Sequence, residues 1–244
     1  MLEVLFVGTG DAFGSGGRRN SAILVRERGR TVLLDCGPTT LLGLRELGVD
    51  PRDIDAIAIS HFHGDHAAGI PFLLLDYVYG NRREKPLDVI GPEGIRERIQ
   101  SMNEVYGYTA EGERGYGLRF DTFNAGSTIE VAGFQVTPAV AHHQPHTKPH
   151  MLRVETDDRA LVFSGDTGWM DELPRIVADV NLFITECTMM EEGFEYHLSH
   201  ERLAAERSKF GCNRILLTHM GPDVLANLDR VEFETATDGL SVKL

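Results

Sequence analysis

The chain has 244 residues, 42% hydrophobic and 25% charged, enough apolar material for a core that needs neither disulfides nor a structural metal. Its net charge of −13 argues against the extended basic face that broad nucleic-acid binding requires. Cys36, Cys187 and Cys212 are odd in number, far apart and free of any CxxC spacing. They read as reduced thiols of a cytoplasmic protein, and neither a signal-peptide pattern nor an apolar run near ~18 residues is present.

In chain order, LEVLFVG (2–8) is an apolar run ending at glycines and is expected to be a strand. The glycine-rich loop 8–20 lacks the GxxxxGK[ST] pattern of a P-loop. SAILVRE and TVLLDCG form a strand pair turning at Arg28-Gly29-Arg30, and PTTLLGLRELG (38–48) is framed as a helix by Pro38 and Gly48. IDAIAIS (54–60) is a buried strand that delivers the chain to His61. Residues 66–80 read as a helix, 87–92 as a strand, 92–107 as a helix and 108–127 as irregular. Two hairpins follow, turning at Ala132-Gly133 and Asp157-Asp158. Next come a strand (181–188), a helix (199–211), a strand ending at His219, a short helix (224–229) and a final strand pair from Val231. Hairpins in both halves with helices between them predict an α/β layered sandwich with mixed sheets, not a doubly wound parallel sheet. No linker or internal repeat interrupts the chain, so residues 1–244 are expected to form a single domain.

The ten histidines, at 61, 63, 66, 142, 143, 146, 150, 197, 200 and 219, fall in four short segments. Neutral imidazole is the commonest side-chain ligand for transition metals. In extended backbone His61 and His63 point the same way and grip one ion. A turn after Gly64 aims Asp65 and His66 at a neighbouring point. Two such ions clamp a phosphoryl or carbonyl centre and provide hydroxide near neutral pH. Asp166, in SGDT after the strand ALVF, is placed to bridge them, and His219 ends its strand in the same way.

HFHGDH (61–66), the later histidine segment, SGDT and LLTHM, in this order, resemble the metallo-β-lactamase superfamily over nearly the whole chain. The resemblance implies an αβ/βα four-layer sandwich with two mixed sheets and metals at one edge. It assigns His61, His63 and a later histidine to one zinc, Asp65, His66 and His219 to a second, and Asp166 to both; manganese or iron suits the same cage. In VAHHQPHTKPH the family pattern fits His143 best, with His142 as the alternative. His146 and His150 are left as neighbours of the site or exposed residues, His150 exposed, and His200 as surface.

β-Lactamases usually carry Cys at the position of Asp166, and the homoserine-lactone lactonases a Tyr where this chain has Trp169. The similarity is greatest to the tRNase Z and phosphodiesterase branch, through ITEC (184–187) and YHLSHERLA (196–204). That branch implies a phosphodiesterase in which a metal-bridging hydroxide attacks phosphorus, Asp65 accepts the nucleophile's proton, His197 protonates the leaving group and Glu186 orients His197. It also implies a homodimer. The chain between His143 and Asp166 is too short for the tRNA-binding arm of the long-armed enzymes, which favours small phosphodiesters over RNA. Arg18 with Arg19, or Arg82 with Arg83, are candidate anion contacts but read better as solvated charges. The rival readings are a lactone, thioester or sulfate-ester hydrolase with the same metals, and a non-catalytic metal-binding module.

Overall fold

The computed structural model describes residues 1–108 and 115–244. The first sheet is built from β1 (Glu3–Gly8), β2 (Ala22–Glu27), β3 (Arg30–Leu34), β4 (Ala56–Ala58), β5 (Leu87–Gly91) and β6 (Leu118–Thr122). The second holds β7 (Ile129–Val131), β8 (Phe134–Val140), β9 (His150–Glu155), β10 (Ala160–Phe163), β11 (Leu182–Glu186), β12 (Ile215–Thr218) and β13 (Glu234–Thr235). The last strand, β14 (Ser241–Lys243), returns to the first sheet beside β1. The strand orders are β14-β1-β2-β3-β4-β5-β6 and β7-β8-β9-β10-β11-β12-β13.

The two orders carry the same pairing pattern. Each sheet has three antiparallel pairings followed by three parallel ones. By position β3 corresponds to β10, β4 to β11 and β5 to β12. No sequence repeat announces this, because the repeat lies in connectivity and hydrogen bonding rather than in residue identity.

Alternation along the strands explains the layers. Val4 and Phe6 of β1 face a core shared with Leu161 and Phe163 of β10, between the sheets. Leu5 and Val7 face the other way, into a layer with Leu44, Ile70, Leu73 and Ile95. Those residues come from α1 (Thr40–Glu46), α3 (Ile70–Leu75) and α4 (Ile95–Val105) and their approaches; the one-turn α2 (Gly64–Ala67) precedes α3. On the far side Val162 of β10 packs with Leu173 of α5 (Leu173–Ile176), Leu203 of α6 (His200–Glu206) and Val224 of α7 (Pro222–Ala226). A strand buried on both faces must be apolar at every position, which is why these strands read as unbroken runs. Burial on this scale supplies the main favourable term in folding.

Three local expectations change. The stretch 66–80 is not one helix: it divides into α2, α3 with Pro71 in its first turn, and a π-helical turn at Asp76–Gly80. Within 108–127, residues 109–114 lie outside the described part, and 118–122 is not irregular but pairs with β5 as an edge strand. The C-terminal strands do not pair with each other: β13 adds to β12 and β14 to β1.

The turn after β3 passes so close to α2 that a Cβ on Gly37 would lie 2.2 Å from the Asp65 carbonyl oxygen and 2.5 Å from Asn20 Cβ. Gly37→Ala must push the His61–His66 segment away. We expect a loss of about 1–3 kcal/mol in chemical denaturation, with metal content falling in parallel; wild-type stability would show that this contact yields freely.

Candidate metal centre

Most of the chemically loaded residues sit at or just beyond the C-terminal ends of strands along one edge of the sandwich. His61 follows β4 through Ser60, and α2 immediately carries Asp65 and His66. His143 follows β8, Asp166 follows β10, Glu186 ends β11 and His219 follows β12. His197 lies in the irregular chain before α6, whose first turn is capped by the Ser199 hydroxyl accepting from Arg202 N–H.

Two four-residue groups of donor atoms result, His61, His63, His143 and Asp166 in one and Asp65, His66, Asp166 and His219 in the other, with Glu186, His197 and His219 as a further group of three beside them. Within each, all ligand atoms lie within 4.8 Å of one another. His63 Nδ1 is 3.1 Å from both His61 Nε2 and His143 Nε2. Asp166 Oδ2 is 3.7 Å from His61 Nε2 and 3.9 Å from His143 Nε2. In the second group Asp65 Oδ2 is 3.2 Å from both His66 Nε2 and His219 Nε2. Asp166 Oδ1 is 3.2 and 3.5 Å from the same two nitrogens. Donors bound about 2.0–2.1 Å from a tetrahedral ion stand about 3.4 Å apart, and these spacings bracket that value. Asp166 therefore turns one oxygen toward each group.

The donor set also fits divalent cations by what it leaves unmet. His66 Nε2 and Asp166 Oδ1 are buried and face each other at 3.2 Å with no well-formed hydrogen bond to any group, a need that a cation between them would meet. Burial, and then the neighbouring His66, hold His61 well below the ordinary imidazole range; burial also lowers His63 and His143. These rings are neutral and ready to ligate. Burial opposes charge on His66, but Asp166, Asp65 and Asp35 overcome it and raise its pKa. His219 is raised to about 9 in the same way, Asp166 and then Asp65 outweighing burial. Burial likewise opposes the charge of Asp166, but His219 and His66 keep it ionised. The carboxylates thus hold protons where a metal would sit, as expected of a cage that exchanges protons for cations.

Each imidazole is fixed through its other nitrogen. His61 Nδ1 is 3.0 Å from Ser60 Oγ, His143 Nδ1 donates to the Tyr196 carbonyl at 2.8 Å, and His63 Nε2 is 3.3 Å from Gln144 Oε1. His219 Nδ1 meets Thr188 Oγ1 at 3.2 Å. His66 Nδ1 meets Asp35 Oδ2 at 2.6 Å, and Asp35 also accepts from Ser60 N–H at 2.7 Å and Ser60 Oγ–H at 2.8 Å. Asp35, Ser60, Gln144 and Thr188 escaped the sequence reading. For Asp35 a signal existed: LLDCG after β3 is the positional counterpart of SGDT after β10. Asp35→Asn is expected to cost about 10–100-fold in metal affinity, read by competition with a chromophoric chelator; unchanged affinity would make Asp35 a folding residue only.

His143 is buried in the first donor group, whereas His142 is exposed and tilts against the Tyr196 ring at 5.5 Å, so the fold places His143 and not His142 with the other donors. His146 sits beyond His63, ring centroids 6.3 Å apart. His150 is half-buried in β9 against Phe123 rather than exposed. His200 is not a surface residue: it is buried and its Nε2 accepts from Glu232 N–H. The candidate anion contacts also change. Arg83 is fully buried, donating to the carbonyls of Lys85, Arg52 and Pro86. Arg19 serves Val7 O and Glu46, and Arg18 serves Ala236 O. These three are structural cations.

Glu186 and His197 complete the edge. Glu186 is buried; its Oε1 lies 2.8 Å from His197 Nδ1 and accepts from Thr167 N–H at 2.8 Å, and its Oε2 accepts from Thr188 Oγ1–H at 2.7 Å. Burial works against a charged His197, but Glu186 prevails and raises its pKa. The His197 ring stacks on His219 at 6.0 Å and lies edge-on to His143 at 5.0 Å. It therefore adjoins both donor groups.

Residues 2–237 match the family model described as anti-Pycsar protein Apyc1. The chain belongs to this Apyc1 family. It is also similar to the Ribonuclease Z of Methanothermobacter thermautotrophicus, 27% identical over 90% of this chain and 87% of that protein. The Ribonuclease Z of Mycobacterium bovis is 25% identical over 92% and 88% of the two chains. The metallo-β-lactamase-fold protein YhfI from Bacillus subtilis superposes with a TM-score of 0.82 at 22% identity, each chain covered completely. The short form of human tRNase Z (ELAC1) gives 0.75 at 22%, over 99% and 98% of the chains. This Apyc1-family chain thus has the metallo-β-lactamase fold, near tRNase Z, and is a metal-dependent hydrolase.

Proposed function

We propose that the protein is a dinuclear zinc phosphodiesterase acting on small phosphodiesters. The observation that carries this reading is the Glu186–His197 pair beside both donor groups. Hydrolysis of a phosphodiester needs charge neutralisation at phosphorus and a proton for the departing alkoxide. His61, His63, His143, Asp65, His66, His219 and Asp166 would hold two divalent ions, which would supply Lewis acidity and a hydroxide at neutral pH. Asp65, in the second group, would take up the proton of the nucleophile. His197 is held protonated through Nδ1 by Glu186, which leaves its Nε2 proton for the leaving oxygen. Glu186 is itself fixed by Thr167 and Thr188, so His197 keeps one orientation throughout.

The choice of small diesters over RNA is supported by the chain between His143 and Asp166, which contains a single 3-10 turn at Pro145–Thr147 and the β9–β10 hairpin, and by the net charge of −13. The similarity to Ribonuclease Z supports the phosphodiester chemistry. The test is turnover of bis(p-nitrophenyl) phosphate by zinc- and manganese-loaded protein with metal content measured in parallel. Cleavage that depends on metal is expected. A fully loaded protein that leaves this diester intact but cleaves p-nitrophenyl acetate or a thioester would transfer the site to carboxyl chemistry.

A further inference from the structure

A cleft of about 280 Å³ opens directly beyond His197, just below the usual size of a small-molecule site. His197 lines it, but none of the seven proposed metal ligands does. The cleft therefore borders the proton donor without including any proposed ligand, and an alcohol whose oxygen takes its proton from His197 would extend toward it.

The walls are aromatic. The Phe194 ring is 46% exposed and lies 5.7 Å from His197 at 32° to it. Tyr196 joins Phe194 to His142 with ring separations of 5.5 Å on each side. Trp169 forms the opposite wall, with its Nε1–H donated to Asp171 and the Arg202 guanidinium 5.8 Å from its ring. The wall bearing Phe194 is held in place by Gly168, where a Cβ would lie 1.7 Å from the Glu195 carbonyl oxygen and 3.0 Å from His142 Cδ2. Among the described residues the cleft's two cationic side chains are each paired, Arg202 with Glu192 and Glu206 and His197 with the buried Glu186, while Glu195 is left exposed.

We propose that this cleft is the leaving-group subsite and that it takes an uncharged, ring-bearing alcohol, stacked on Phe194, while turning away leaving groups that carry a further phosphate. The proposal rests on the phosphodiesterase reading for its direction. Stacking on a fixed aromatic face gains more than the buried area alone, and the exposed Glu195 carboxylate penalises a second anion. The site thereby discriminates between a small diester and a polynucleotide, whose leaving strand is anionic along its length.

Trp169 is the single tryptophan of the chain, so binding in the cleft has its own signal. The metal-loaded protein is titrated with p-nitrobenzyl alcohol, a neutral quencher, and with p-nitrobenzenesulfonate, an anionic one, each corrected for absorption. Saturable quenching by the alcohol is expected. Its Kd should rise about tenfold in Phe194→Ala and return in Phe194→Tyr. The sulfonate should bind more weakly, with the gap narrowed in Glu195→Gln. In kinetics with bis(p-nitrophenyl) phosphate, Phe194→Ala should raise KM by a similar factor and leave kcat within about threefold. Quenching that is linear and identical in all variants overturns the proposal, and so does a fall in kcat at constant KM, which would make Phe194 only a packing partner of His197. Saturable binding without cleavage of any phosphodiester would sink the phosphodiesterase reading and with it the leaving-group role, even though the cleft binds rings. Cleavage without saturable binding would remove the subsite alone.

Discussion

Asp166→Asn is expected to lower kcat by more than about 10³-fold, on the order of 4 kcal/mol of barrier, and to reduce bound metal from two ions toward one. Asp166 is buried, with Oδ2 facing His61 and His143 and Oδ1 facing His66 and His219. An amide keeps the shape but replaces one of these oxygens with an N–H donor that cannot ligate. Whichever way it turns, one donor group loses its carboxylate, and the shared charge that draws two cations together is gone. The fold should survive, since Asp166 makes no hydrogen bond through Oδ1 that an amide would break. Elemental analysis of metal per chain, with turnover of bis(p-nitrophenyl) phosphate on the same sample, checks both halves. Two ions and near-normal kcat in the variant would show that the groups do not depend on a bridge.

The same centre shows where backbone geometry follows chemistry. Asp35 and His219 are non-glycine residues at φ 58° and 51°, a region that disfavours side chains. Both are pinned from several sides. Asp35 accepts two bonds from Ser60 and holds His66, while His219 N–H donates to the Thr9 carbonyl at 2.9 Å and its ring meets Asp65 and Thr188. Such conformations persist only when their surroundings over-determine them, and they cluster at functional sites. Here they aim a carboxylate and an imidazole at the cage from the ends of β3 and β12.

How much of this was legible in the residues follows from where the information lies. HFHGDH is a local pattern: six consecutive positions carry four donors, so spacing alone predicts a common focus. SGDT and LLTHM became legible only beside it, since Gly-Asp after a strand is ordinarily a turn and a lone histidine ending a strand is ordinarily a satisfied, buried imidazole. The choice between His142 and His143 was not legible, since two adjacent residues on a loop are separated only by which one the fold buries. Asp35, Ser60 and Thr188 act through bonds to partners distant in sequence, and no spacing reports them. A layered α/β sandwich with mixed sheets was readable from the hairpins and the helices between them, and its four layers came from the family resemblance. The repeated pairing order was not readable, because many sequences encode the same strand order. His200 and Arg83 show the opposite error: a polar residue read as solvated is buried once the fold supplies backbone partners.

His197 should matter in proportion to how badly the leaving group needs a proton. For a diester with an alkyl leaving group, His197→Ala is expected to lower kcat by about 10²–10⁴-fold. For p-nitrophenoxide, a stable anion, the loss should be far smaller, with both metals retained in each case. That difference separates a proton donor from a residue that merely shapes the site, which would slow both substrates equally. Glu186→Gln acts one step back. The carboxylate raises the pKa of His197, so the acid form is present below that raised pKa and is lost as pH rises through it. Removing the negative charge lowers the pKa, and the basic limb of the pH–rate profile should move to lower pH, with a loss of activity at neutral pH that shrinks in more acidic buffer. Thr188 adds a check within the same network, since its hydroxyl lies 3.2 Å from both His197 Nδ1 and His219 Nδ1 while donating to Glu186. Thr188→Val should loosen His197 without changing charge, lowering kcat while the basic limb stays closer to that of the wild type than in Glu186→Gln. A basic limb that is identical in wild type and Glu186→Gln would mean that the group titrating there is not His197.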